Sequence, residues 1–396
     1  MKIPKPIKKI GGIAIEILLV IPCFCICIIS RYVKRDIDVG LGPLPLINNV
    51  YHKVALEQAG FSAETFVNKT FFITDEFDVD LTIWNDRVLL KRLVPYYLFC
   101  RVLFRYRVLF IYFNGGPFIL KKYLLNALEP KFYKLARVKI VVMPYGGDVQ
   151  LLTRCKNLVY RHAIDSDYPK FWKMHELTRK NIDRWTRYAD WVISGADWVE
   201  YMYHWDSLML GHFSIDMDRW APEEEKEYRH RDSARLRILH APNHTMIKGT
   251  DAVTAAIELL KGEGLDLELI LLQGVPNSEI RKAMEDVDLV ADQFVIGWYA
   301  MFAIEAMAMG KPVLCYLRED LVELYVKAGL VTENEIPLIN TDLREIASKI
   351  RWAYDNREEL RAIGRKGREF VKKYHSTEYV GGVFTGILNE LGIGGG

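Results

Sequence analysis

"GWYAMFAIEAMAMGKPVL", residues 297–314, reads as a glycine-led turn, a helix that is small and apolar except at Glu305, and a Gly-Lys-Pro turn into a strand. A helix apolar on every side belongs inside a protein. A lone carboxylate there is costly to bury without a partner, so Glu305 either faces water or holds a ligand. The backbone N–H groups of Gly297, Trp298, Tyr299, Ala300 and Met301 open the helix and make an anion site at its positive end.

Outward from this stretch the same alternation repeats. "LRILHAPN" (236–243), "LELILLQG" (267–274), "VDLVADQ" (287–293) and "KPVLCYL" (311–317) read as strands, with helices expected over 249–263, 277–286, 300–309 and 319–328. Upstream, "DIDVGLG" (36–42), "LFIYFNGG" (109–116), "VKIVVMPYGGD" (138–148) and "DWVISGA" (190–196) read as an earlier set, three of them closing on glycine. Short β-branched runs alternating with amphipathic stretches predict parallel sheets covered by helices. The charged run at 214–235, which contains Pro222, reads as a linker between two such units.

Four segments carry a resemblance to the retaining GT-B glycosyltransferases of family four, the group 1 glycosyl transferases. Residues 297–314 look like the donor signature Glu-x-Phe-Gly-x-x-x-x-Glu-Ala-Met-Ala-x-Gly-x-Pro-Val, with Glu305 at its second acid. "HAPNHTMIKGTD" (240–251) resembles the loop whose Lys-Gly contacts the donor diphosphate, "SIDMDRWAP" (214–222) the hinge, and "PYGGDVQ" (144–150) the first-domain His-Gly-x-Asp. Three positions depart from the pattern. The first signature acid falls at Gly297, the family's arginine at Asn243 with His240 and His244 nearby, and the first-domain histidine at Tyr145.

The resemblance, which runs from about Asp36, implies an α/β chain of GT-B class, two Rossmann-like doubly wound domains facing a central cleft; composition places an N-terminal membrane-associated segment ahead of them. The expected divisions are 1–35 for that segment, 36–215 for an acceptor domain, 216–234 for the linker and 235–375 for the donor-nucleotide domain. Residues 376–396 are expected to form a helix returning to the first domain, then a floppy tail. A nucleotide diphosphate sugar is the implied co-substrate, with no other cofactor. Its expected contacts are Asn243, His244, the surface lysine Lys248, Gly297 to Met301, and Glu305 on the ribose hydroxyls. Gly40 and Gly42 are expected to flank the phosphates, with Tyr145, Gly146, Gly147 and Asp148 on the acceptor side. Lys248 and Asp148 are the expected catalytic residues. The rival readings are an inactive sugar-nucleotide or glycan-binding scaffold and a GT-B nucleotide-sugar epimerase.

Metal dependence is not expected, because a lysine-anchored diphosphate needs none. The Asp-x-Asp triplets at 78–80, 165–167 and 216–218 are common by chance. The six cysteines show no metal-ligand spacing and read as reduced thiols. A formal charge of +2 on 396 residues excludes nucleic acid as the main partner. No Gly-x-Gly-x-x-Gly follows a strand, which argues against a nicotinamide enzyme.

Twelve Ile, Leu, Val and Phe residues lie between Ile10 and Ile29, interrupted by one acid, Glu16, and bracketed by lysines and arginines. That composition predicts membrane association with the catalytic domains facing the cytoplasm. The segment reads either as a single span or as one that dips in and returns by a bend at Pro22. Residues 87–110 interleave aromatics with Lys91, Arg92, Arg101 and Arg105, which suits either a helix on anionic lipid or a core helix. The expected partners are a nucleotide sugar, a glycan or lipid-linked acceptor, and the membrane surface.

Overall fold

The computed structural model describes residues 5–71, 73–121, 124–222 and 235–394. The first domain holds seven parallel strands: β1 (Ile37–Leu41), β2 (Ala63–Val67), β3 (Val79–Asp80), β4 (Tyr106–Tyr112), β5 (Lys139–Met143), β6 (Trp191–Gly195) and β7 (Ser207–Met209). Their order is β3-β2-β1-β4-β5-β6-β7. The second domain holds five: β8 (Leu236–His240), β9 (Leu267–Leu271), β10 (Leu289–Ala291), β11 (Val313–Cys315) and β12 (Ile339–Asn340), ordered β12-β11-β10-β8-β9. All their pairings are parallel.

Helices cover both faces of each sheet, which is why β4 is apolar along nearly its whole length and not alternating. One core cluster runs from Cys23 through the first domain to Trp298 and Tyr374, so the domains share packing across their junction. The helix Thr377–Glu390 packs on Ile47–Gln58 of the first domain, with Val380, Phe384, Ile387 and Leu388 buried against Val39, Phe110 and Val141. Of the linker expected at 216–234, residues 223–234 lie outside the described residues. Its start is not loose: Trp220 is fully buried and donates from Nε1 to the Tyr51 hydroxyl at 2.8 Å.

The N-terminal segment forms one continuous helix, Lys5–Ser30, with Pro22 inside it. The helix runs on through Pro22, so the segment does not turn back on itself there. One missing N–H does not end this helix, because its inner face is held along the helices Leu124–Ala136 and Val94–Arg105. Glu16 faces that contact: its Oε2 accepts the N–H groups of Leu124 at 2.7 Å and Leu125 at 3.0 Å, capping the first turn of Leu124–Ala136. Gly12–Ser30 is long and apolar enough to cross a membrane by length and composition.

Residues 87–110 divide into parts. Val94–Arg105 is a helix burying Val94, Leu98, Phe99, Val102 and Leu103, and residues 106–112 are β4. Arg101 binds Glu64 at 2.7 Å and Arg105 lies 3.2 Å from Asp36, so these two cations are engaged in the fold. Arg87, Lys91 and Arg92 stand exposed before the helix.

Candidate active site

Open parallel sheets form a ligand crevice where neighbouring strands send their connections to opposite sides. That point lies between β1 and β4 in the first sheet and between β8 and β10 in the second. The residues after β8 and β10 are 241–249 and 292–300, the segments the donor motifs occupy.

Lys248 is only 13% exposed on its side chain and pairs with Asp292, which is fully buried at the end of β10. The Ala300 N–H at the mouth of the helix Met301–Ala308 also helps to hold the Asp292 pKa down. A carboxylate thus occupies the positive corner that the helix opening and the lysine create. Burial pushes the Asp292 pKa up while Lys248 pulls it down, and Oδ2 is buried without a hydrogen-bond partner. Glu305 lies one turn into the helix and is buried, receiving 2.9 Å from Asn277 Nδ2. Burial pushes its pKa up to about 8, Asp292 adds to the rise, and Asn277, Arg219 and Lys248 oppose it. Lys311, a conceivable partner for Glu305, donates to the carbonyls of Glu285 and Val287.

The remaining donor-side residues divide by role. Gly297 has a φ of +93°, and a Cβ there would lie 2.4 Å from the Arg318 side chain, so glycine is required by the fold alone. Trp298 donates from Nε1 to Leu210 O at 2.9 Å, and Tyr299 shares 2.9 Å with Nε2 of His375. Both rings are core, leaving only their backbone to the site. Ala300 caps the helix and Met301 begins it. Asn243 is exposed, and His244 lies 2.7 Å from the Tyr168 hydroxyl of the first domain. His240 is not available to a ligand. Its ring bonds Ala291 O at 2.8 Å and Thr250 Oγ1 at 3.0 Å, and burial lowers its pKa to about 4.

On the first-domain side, Asp148 is buried and accepts the N–H groups of Phe113, Tyr145 and Gly146, each at 3.0 Å. It ties the loop after β5 to the end of β4. Burial still raises its pKa to about 7. Tyr145 accepts from Asn114 Nδ2 at 2.7 Å, Gly146 is buried and Gly147 is exposed at the rim. Gly40 lies within β1, not in the loop, and a Cβ there would fall 2.2 Å from the Tyr106 ring; at Gly42 it would fall 2.1 Å from Phe66 O. Both glycines serve close packing.

Several site residues were not singled out from sequence: Asp292, Asn277, Arg219 and Asn157. Asp292 carried a signal, an acid immediately after an apolar strand. Asp167 accepts the N–H groups of Met246 (3.2 Å) and Ile247 (2.9 Å), so an acid of the first domain caps the lysine loop of the second. Asn157 donates to Val295 O at 2.7 Å and Ile296 O at 3.2 Å. Of the other triplet acids, Asp78 is engaged with Lys53 and Thr65, Asp80 with Thr82 and Asp216 with its own turn. Among the described residues no group of three or more His, Cys, Asp or Glu side chains is placed to hold a metal ion.

Solved structures share this fold. The chain resembles HepE of Anabaena in complex with UDP-glucose, at 13% identity, covering 89% of this chain and 99% of that one with a TM-score of 0.53. It also resembles sucrose-phosphate synthase of Thermosynechococcus elongatus, at 13% identity, with 90% and 99% covered and a TM-score of 0.56. The fold is GT-B. Residues 300–381, from the start of the Glu305 helix into the last helix, match the family model described as glycosyl transferase-like. No curated protein matches the chain. The Lys248, Asp292 and Glu305 cluster lies at the switch point of the second sheet, and Asp148 and Tyr145 lie in the loop after β5 of the first.

Proposed function

We propose that the chain is a glycosyltransferase moving a sugar from a nucleoside diphosphate donor to a hydroxyl of a glycan or lipid-linked acceptor, with retention of anomeric configuration and without a metal. The observation that carries this reading is the buried cluster at the switch point of the second sheet: a lysine, a helix opening and a buried carboxylate one turn behind. The GT-B fold and the match over residues 300–381 support it. An arriving diphosphate competes with Asp292 for Lys248 and the helix opening, both complementary to the charge that develops as the sugar–phosphate bond breaks. Glu305 then accepts ribose hydroxyls, which gives its charge a partner. Asp148 holds the loop against which the acceptor is positioned, and closing the cleft excludes water. Nucleotide sugars being cytosolic, the cleft faces the cytoplasm in this reading.

The absence of an acid at Gly297 favours a second reading, an inactive sugar-nucleotide binder. Calorimetric titration with UDP, GDP and ADP identifies the nucleotide, and Lys248→Met should weaken its binding. Release of nucleoside diphosphate from its sugar only when acceptor is present separates transfer from binding alone. Comparable nucleotide affinity in Lys248→Met overturns the diphosphate site.

A further inference from the structure

The N-terminal helix has two faces. Glu16, Cys23, Cys27 and Ser30 are buried against the first domain. Ala14, Leu18, Ile21, Cys25 and Ile29, spaced by three and four residues, form a continuous exposed line, with Leu18 at 72% and Ile21 at 70% exposure. Ile15, Ile17 and Phe24 widen it. Beyond the helix Val94–Arg105, which this helix also touches, a second apolar group is exposed: Ile83, Val88, Leu89 and Leu93, among the exposed cations Arg87, Lys91 and Arg92. Two separate stretches of chain thus expose apolar surface, one packed on the helix Val94–Arg105 and one leading directly into it.

Their place in the fold gives this surface a direction. The N-terminal helix leads from Ser30 into the start of β1, so it runs back along the sheet toward the strands' carboxyl ends. Glu16 meets Leu124 and Leu125 there, at the start of the helix that follows β4. Residues 83–93 follow the carboxyl end of β3. Both apolar groups therefore reach the edge of the sheet where the GT-B cleft opens.

We propose that this face seats on an anionic bilayer with the N-terminal helix lying in the interface plane, not crossing it, so that the cleft draws its acceptor from the membrane. Crossing is opposed by Glu16. Its two amide bonds fix the middle of the apolar run to the domain, and lysines at positions 8 and 9 leave only Ile10 to Ile15 as apolar residues upstream. Six residues rise about 9 Å at 1.5 Å each, against a hydrocarbon core of roughly 30 Å. Apolar residues flanked by cations are what an anionic interface binds. The lipid-borne acceptor rests on the glycosyltransferase reading above; the seating itself does not.

Cys25 is a native reporter, since it is the exposed cysteine of the line while Cys23 and Cys27 are buried, their thiols pushed up to about 11 and about 12 by burial. The full-length protein carrying a polarity-sensitive fluorophore on Cys25 is floated with vesicles of phosphatidylcholine alone or with phosphatidylglycerol. The expected result is flotation with the anionic vesicles, a blue-shifted probe, and quenching by lipids brominated near the headgroup end of the chain. Leu18→Glu/Ile21→Glu and Leu89→Glu/Leu93→Glu should each weaken vesicle binding about tenfold or more, with melting and nucleotide affinity as in the unaltered protein. Unchanged flotation in both variants overturns the proposal, as does a detergent-solubilised dimer whose probe is shielded without lipid. Modification of a Lys5→Cys protein by an impermeant reagent from outside intact cells also overturns it, because that requires a span. Absence of nucleotide binding in the unaltered protein, with flotation intact, would instead remove the glycosyltransferase reading and leave the seating standing.

Discussion

Lys248 and Asp292 stabilise each other only as a pair. Removing the lysine leaves a fully buried carboxylate at the helix opening without its charged partner, so Lys248→Met should destabilise the fold at neutral pH by about 3 kcal/mol. This cost is larger than a surface lysine would carry, and Lys248→Met/Asp292→Asn should recover most of it. The deficit has a definite pH direction. Burial raises the Asp292 pKa, and loss of Lys248 raises it further. The variant therefore matches the unaltered protein in acid, where the carboxyl is protonated in both, and falls behind once the pH exceeds the raised folded pKa that Asp292 has beside Lys248. Chemical denaturation at several pH values measures this.

Glu305 obeys the same rule. Its folded pKa of about 8 lies above the ordinary carboxyl value, so the group costs stability increasingly as pH rises from the unfolded value of roughly 4.3 toward 8. Glu305→Gln should melt higher than the unaltered protein at pH 8, the difference shrinking toward pH 5. Ribose hydroxyls need the ionised carboxylate as acceptor, so ribonucleotide affinity in the unaltered protein should climb across the same window. The Gln variant should lose about tenfold in ribonucleotide preference over the deoxy form. A preference that ignores both pH and the substitution assigns Glu305 to the fold alone.

Among elements, the N-terminal helix shows how one side chain decides a placement. An apolar helix with a single acid is ambiguous by composition, because the acid could be a defect in a span or a contact with protein. Glu16 is the contact. Glu16→Ala should cost about 1 kcal/mol, as other lost helix caps do, and speed amide exchange at Leu124 and Leu125; unchanged exchange would mean the cap contributes nothing. The stretch 87–110 was ambiguous for a related reason. Arginines on an apolar helix suit lipid and core equally until partners are known, and Glu64 and Asp36, distant in sequence, supply them.

Across the whole molecule, the two GT-B domains are latched over their cleft. Arg318 of the second reaches Glu200 of the first at 2.9 Å, both nearly buried, and Tyr325 donates to Ala196 O at 2.7 Å. Beside them Asp197 is pushed up to about 7 by burial and by Glu200, with Arg318 opposing the rise. Arg318→Ala leaves two buried acids without their cation and should destabilise by about 3 to 5 kcal/mol. It should also increase the radius of gyration in small-angle scattering, while Arg318→Ala/Glu200→Gln restores most of the stability. A compact, fully stable single variant would show that the latch lies elsewhere.

Sequence alone determined the alternation of strands and helices, the two doubly wound units, and the candidate donor segments, because periodicity and turn chemistry are local properties that each stretch carries by itself. It also marked Glu305 as a carboxylate in an apolar helix. Whether Trp298 and Tyr299 face ligand or core, whether Gly40 serves a phosphate or the Tyr106 ring, and where Lys248 finds its counter-charge were decided only in three dimensions. Each depends on a partner far away in the chain: Leu210, His375, Tyr106 and Asp292. A side chain's charge and shape are written in its residue, but burial and partnership are properties of the packed chain.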